Sequence, residues 1–264
     1  MEEPTPHTHP RQRPEHLTSA IEDYAKAIYA LERRARGPRG RYPRGAGAHL
    51  TAERPTHGVT TNERPTHGVT TNALAERLGV TAASASGMVK RLGELGLVEH
   101  RPYRGVTLTE AGRRVALEVL RHHRLLELYL AQSLGVPWDR VHEEAEVLEH
   151  VLSEELEELI AAKLGDPTHD PHGDPIPTRE LTIDEGVTAS LQTLTSGDRG
   201  TFTRVSDADP EMLRFLARLG IAPGDAFEVV DKQPFDGPLF VRFGGEVHVL
   251  GERLARAMRV EVLE

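Results

Sequence analysis

The sequence predicts a mainly α fold with small β parts: a winged helix-turn-helix, a helical middle and a small C-terminal barrel. Three patterns predict it. Residues 71–108 read as a short helix, a tight turn, a second helix and a β-hairpin. Residues 110–164 carry long apolar-periodic runs interrupted by "GVPWDR". The last 70 or so residues break into five short β-runs, "GTFTRVS", "AFEVVD", "LFVRF", "EVHVL" and "MRVEV", around one short helix, Pro210 to Leu219.

Composition narrows the function classes. With 38% hydrophobic and 28% charged residues the chain reads as globular. It has no apolar run long enough to span a bilayer. Residues 1–16, rich in Pro and His and without an apolar core, read as a disordered tail and not as a secretory signal. The absence of cysteine removes disulfides and thiolate metal sites and points to the cytoplasm. Charge is uneven. Residues 16–115 hold 16 Lys and Arg against 9 Asp and Glu, whereas residues 116–264 hold 14 against 29. A basic front half suggests a polyanionic partner, although six of its cations lie in residues 36–64.

The elements follow in order. Leu17, Ile21, Tyr24, Ala25, Ile28 and Leu31 have helical spacing, with Thr18 or Ser19 as N-cap. Residues 36–72 read as a loop insertion inside a DNA-binding module of residues 17–114. The insertion contains "ERPTHGVTTN" twice in succession. The second copy ends in residues that can cap the next helix; the first copy caps nothing. A tandem duplication in a tolerant surface loop accounts for this, because doubling a loop costs only about 0.6 kcal/mol. A metal-loading arm through His57 and His67 is the weaker reading, since two lone histidines on a loop make no preformed site. Ala73 to Leu78 then forms a short helix, Gly79-Val80 a turn, and Thr81 caps a helix that runs to Leu95 and stops at Gly96. A hairpin with a Pro-Tyr-Arg-Gly tip follows. Two helices, Glu110 to Leu134 and Val141 to Leu164, fall mainly in a module of residues 115–166. A Pro- and Asp-rich linker covers residues 167–190, and the barrel residues 191–264.

Two sets of residues carry chemistry. Thr81, Ser84, Ser86, Gly87, Lys90 and Arg91 suit a recognition helix. Small polar side chains reach bases or phosphates, Gly87 permits close approach, and the cations meet phosphates. Arg101, Tyr103 and Arg104 at the hairpin tip suit the DNA backbone or the minor groove. A winged helix used only for protein contact is the plainer alternative. In the helical middle, Glu146, Glu149 and His150 stand at i, i+3 and i+4, and His142 one turn earlier; His123 and Glu127 are also i, i+4. Carboxylates and imidazoles so spaced suit an octahedral N/O metal site. A solvated acidic face is the plainer alternative, and it describes Glu143, Glu144, Glu154, Glu155, Glu157 and Glu158.

The order "EDY", "LAERLGV", "MVKRL", "GLV", "LT", "GVPWDRVHEEAE", "LEHVLSEELEE" and "DPHGDPIP" resembles the diphtheria-toxin-repressor family of metal-dependent transcriptional regulators. The resemblance covers residues 17–35 and 70–178, and the barrel is similar to the SH3-like (FeoA-type) domain of longer members. It implies a helical metal-binding and dimerisation domain, and a homodimer that binds double-stranded operator DNA when loaded with metal. It implies a primary metal site at Asp23, Glu146, Glu149 and His150. An ancillary site would use His123, Glu127 and His142, with Asp209 and Glu211 as barrel ligands. Carboxylates at Asp23 and Glu146, where iron-sensing members resemble a Met and Cys pattern, place the chain with the manganese-sensing branch; Mn²⁺ is the expected effector and Fe²⁺ the alternative. Lys26 departs from that branch, which often has a glutamate there, so a two-metal cluster is not expected. In the metal-free state Glu146, Glu149 and Asp23 would repel one another and loosen the structure. Repression of metal-transport genes is the implied role.

Two rivals remain at this level. A di-iron oxidase needs Glu-x-x-His on each of two helices, and this chain offers Glu-x-x-Glu-His once. A winged-helix regulator answering a small non-metal ligand is the other.

Overall fold

A computed structural model describes residues 17–36, 68–101 and 103–263, with backbone alone for Ala35 and Arg36. The expected tail, most of the insertion and both His57 and His67 lie outside the described residues.

Helix α1 (Ser19–Arg36) serves two cores at once. Ile21, Tyr24, Ala27 and Ile28 pack into the helix-turn-helix core with Leu74, Ala85, Val89 and Leu92. Ala25 and Tyr29 pack on a second face with Ala116, Leu117 and Leu120. The 3.6-residue period leaves Glu22, Asp23 and Lys26 on a third face. Helix α2 (Thr71–Leu78) is capped by Thr70, whose hydroxyl accepts the Ala73 N–H at 3.2 Å, and ends at Gly79 in the left-handed region. Helix α3 (Ala82–Glu94) is capped by Thr81 in the same way. Strands β1 (Val98–Arg101) and β2 (Gly105–Leu108) form the wing.

The end of the second copy, residues 68–72, is part of this module. Val69 exchanges two backbone hydrogen bonds with Val106, each 2.8 Å. Gly68 and Gly105 cross so closely that a Cβ on either would overlap the other strand's backbone. Residues 68–72 therefore belong to the folded wing and α2, and the insertion is shorter at its C-terminal end than the expected 36–72.

Helix α4 (Glu110–Leu134) matches its expected span and buries one side against α1. The expected helix from Val141 to Leu164 is two helices, α5 (Val141–Leu148) and α6 (Glu154–Lys163). Ser153 breaks it: its hydroxyl accepts the Leu156 N–H at 3.3 Å and starts α6 afresh. The break places Glu149 and His150 at the end of α5. The Pro- and Asp-rich linker is anchored to α4. Arg121 donates to the Pro177 carbonyl at 2.7 Å, and Arg124 donates to that of Pro175. Ile176 and Leu181 are buried against the helices.

The C-terminal module is an antiparallel sheet in the order β3-β8-β4-β5-β6-β7. Its strands are β3 (Ala189–Ser190), β4 (Arg199–Val205), β5 (Ala226–Lys232), β6 (Leu239–Phe243), β7 (Glu246–Leu250) and β8 (Met258–Val262). Bulges in β4 and β5 help the sheet curl around Phe202, Val229, Val241, Leu250 and Val260. Helix α7 (Pro210–Leu219) is the expected one, capped by Asp209; α8 (Glu252–Ala257) and the two-residue β3 were not legible in the sequence.

Candidate metal centre

The third face of α1 meets the α5 end. His150 Nε2 lies 3.0 Å from Asp23 Oδ1 and 3.5 Å from Glu149 Oε1. His150 Nδ1 lies 2.6 Å from Glu22 Oε2. With Nδ1–H donating to that carboxylate, Nε2 is the nitrogen turned toward Asp23 and Glu149, which is how an outer carboxylate orients a metal-binding imidazole. Glu146 joins the group through Glu149 and His123. Lys26 Nζ stands between Glu146 Oε1 at 2.7 Å and Glu149 Oε1 at 2.6 Å.

A second group adjoins the first. Glu127 Oε1 is 3.1 Å from His123 Nε2 and 3.3 Å from His142 Nδ1, and His142 Nδ1 is 3.1 Å from Asp207 Oδ2. The two groups touch through Glu149, whose Oε2 lies 2.5 Å from His123 Nδ1. His122 Nδ1 lies 3.2 Å from the Glu149 carbonyl. A third cluster, Glu127, Asp170 and His172, is buried beside the second. His172 Nε2–H donates to the Trp138 carbonyl at 2.7 Å, which leaves Nδ1 facing Glu127 at 3.8 Å.

The electrostatics are those of close opposite charges with little water. Burial disfavours charge on His123, but Glu127 outweighs it and lifts the imidazole to about 9. Hydrogen bonds to Asp207 and then Glu127 lift His142 to about 10. Glu127 is held well below the usual carboxylate range: burial opposes this, and the histidines overcome it. Burial lifts the Asp23 carboxyl above its ordinary value. On Lys26, burial is outweighed by Glu149 and Glu146, so the ammonium is favoured.

This donor set fits a hard or borderline divalent ion. Within each group the ligand atoms lie within 4.8 Å of one another. An ion with bonds of about 2.1 Å needs ligand atoms about 3 to 4.2 Å apart. The donors are carboxylate oxygens and imidazole nitrogens, which suit Mn²⁺, Fe²⁺ and their neighbours.

Of the sequence-derived ligands, Asp23, Glu149 and His150 converge, Glu146 stands beside them, and His123, Glu127 and His142 form the second group. Asp209 and Glu211 take no part in any of these groups. Asp209 is spent as the α7 cap, accepting the Glu211 N–H at 3.0 Å, and pairs with Arg253 at 2.6 Å. The barrel's carboxylate at the centre is Asp207, two residues earlier. Docking brings it there: the Val205 N–H donates to the His172 carbonyl at 3.0 Å, and Trp138 packs on the barrel core. Asp207 and Glu22 were missed because only tertiary packing brings them in. Asp170 and His172 lie in the quoted "DPHGDPIP", where a His between two Asp was the available signal.

On the reader side, Thr81, Ser84, Ser86, Gly87, Lys90 and Arg91 are all exposed along α3, and a Cβ at Gly87 would meet open space. The Thr81 hydroxyl is engaged with the Ser84 N–H at 3.1 Å, so its first role is the cap. Arg101, Tyr103 and Arg104 are exposed on the wing, Tyr103 fully.

Comparison with known proteins follows this division. Residues 60–106 match the family model "Iron dependent repressor, N-terminal DNA binding domain", residues 109–178 "Iron dependent repressor, metal binding and dimerisation domain", and residues 189–262 "FeoA domain". The iron-dependent repressor IdeR of Mycobacterium tuberculosis is 34% identical over 200 residues, covering 71% of this chain and 86% of that protein. The diphtheria toxin repressor of Corynebacterium efficiens is 31% identical over 201 residues, covering 72% and 86%. A solved manganese-dependent transcriptional repressor in complex with manganese superposes with a TM-score of 0.75 at 38% identity, covering 92% of this chain and 100% of that one.

Proposed function

The chain belongs to the iron-dependent repressor family, and from that premise we propose that it is a metal-dependent transcriptional repressor, answering to Mn²⁺ with Fe²⁺ as the alternative. It binds operator DNA as a homodimer, and its targets are metal-transport genes. One observation carries the reading. Asp23 comes from the helix that forms one wall of the reader module, and it meets His150 from the helical core at 3.0 Å, with a ligand atom of Glu149 within 4.8 Å.

The residues divide the work. Asp23, Glu149 and His150, with Glu146 beside them, would hold one ion; His123, Glu127, His142 and Asp207 would hold a second. A bound divalent ion supplies positive charge where carboxylates of two modules meet. Glu22 turns the His150 ring, and His122 steadies the Glu149 backbone. Ile21, Tyr24, Ala27 and Ile28 bind α1 rigidly to α2 and α3, so whatever fixes Asp23 fixes the recognition helix. Two recognition helices at one spacing are what a symmetric dimer needs to read two half-sites. Val147, Val151, Leu156 and Leu159, each at least 48% exposed, supply the apolar dimer face. Metal that favours the DNA-competent arrangement is, by reciprocity, bound more tightly when DNA is present.

The test is fluorescence anisotropy with labelled duplexes selected from fragmented genomic DNA, titrated with the full-length protein in Mn²⁺ and in chelator. Affinity should rise about 5- to 150-fold with metal. Equal affinity in both conditions contradicts the reading.

A further inference from the structure

Lys26 lies on the α1 face that carries Asp23, one turn away, and its Nζ touches both glutamates of the proposed primary set, Glu146 at 2.7 Å and Glu149 at 2.6 Å. The Lys26 side chain is only 16% exposed and that of Glu149 is fully buried. The ammonium therefore occupies the space between two carboxylates that would otherwise repel each other. An expectation from sequence, that these carboxylates loosen the metal-free protein, is corrected here: a cation from the chain itself closes the junction. Asp23 and Glu22 close it from the other side through His150.

Resting on the metal-regulator reading above, we propose that Lys26 is a tethered competitor of the divalent ion, and that its displacement sets the metal concentration at which the protein responds. An ammonium has three donors and no acceptor, so it cannot share these oxygens with a metal on equal terms. Glu146 and Glu149 each offer Oε1 to Lys26, and Glu149 Oε2 is already engaged by His123. Loading the primary set thus requires the lysine to leave. Its four-carbon stem can carry the charge outward to water along the half-exposed edge formed by Asp23 and Glu146.

The experiment is calorimetric titration of Mn²⁺ into the full-length protein, in a His142→Ala background that weakens the second group. Lys26→Gln and Lys26→Arg are compared with the parent, and each is also melted in chelator. Lys26→Gln should bind Mn²⁺ about tenfold more tightly and melt at a lower temperature without metal, whereas Lys26→Arg should follow the parent in both. Unchanged or weaker Mn²⁺ binding by Lys26→Gln, with uptake by the parent intact, overturns this inference alone. Absence of Mn²⁺ uptake by the parent overturns the metal reading with it. A crystal of the manganese-loaded wild-type protein gives a second readout: Lys26 Nζ should have left both glutamates, and retention of both contacts overturns the proposal.

Discussion

Replacing Asp23 by Ala separates signalling from folding. The Asp23 carboxylate faces His150 at 3.0 Å, and its side chain is 37% exposed. A pair so open contributes about 0 to 1 kcal/mol. His150 keeps Glu22 at 2.6 Å, and the buried residues of α1 are untouched. Asp23→Ala should therefore melt within a few degrees of wild type in chelator and sediment as the same dimer. With metal the outcome reverses. On the proposed reading Asp23 is the ligand that α1 contributes, so its loss removes the link between ion and reader module. The coupling at stake is about 1–3 kcal/mol, or roughly 5- to 150-fold in operator affinity. Anisotropy at fixed salt should show wild-type affinity tightening with Mn²⁺ and Asp23→Ala staying at the chelator value. A full Mn²⁺ response in Asp23→Ala, with wild-type stability, would refute the argument that Asp23 transmits the signal.

Other substitutions test other links. Lys90 is exposed on α3, 3.9 Å from Glu94; Lys90→Ala should weaken binding to all duplexes alike and reduce the salt slope by about one, and a changed base preference would make Lys90 a base reader. A Cβ on Gly112, in the first turn of α4, would overlap the Leu97 carbonyl. Gly112→Ala should cost about 1–3 kcal/mol by overpacking and lower the melting temperature by several degrees; an unchanged melt contradicts the tight seat of α4 under the wing. Val151 is 77% exposed beside other apolar side chains; Val151→Lys should shift sedimentation from dimer toward monomer, with a loss of about 2 kcal/mol or more if the position is central. A dimer of undiminished stability places the interface elsewhere.

What the sequence made legible was local. Thr81 as a cap, Gly79 in a turn, Gly96 as a stop, and the apolar periods of α1 and α4 depend on neighbours within a few residues. The clustering of carboxylates and imidazoles on α4 and at α5 was legible for the same reason, since helical spacing stacks them on one face. The break at Ser153 was not: apolar periodicity runs on from α5 to α6, and one hydroxyl decides against it. Asp207 in place of Asp209 depends on how the barrel docks on α5, which no spacing encodes. Lys26 was visible as a departure, yet its position between Glu146 and Glu149, 120 and 123 residues away in sequence, follows only from the packing of α1 against the end of α5. The linker read only as a Pro- and Asp-rich segment, because its anchors lie elsewhere: Arg121 and Arg124, buried on α4, donate to its carbonyls.

The most direct test of the central claim is anomalous scattering at the manganese edge from crystals of the full-length protein grown in Mn²⁺. The expected result is a peak bonded at once to Asp23 on α1 and to Glu149 and His150 at the end of α5. Density confined to the His123, Glu127, His142 and Asp207 group, with none touching Asp23, would contradict it.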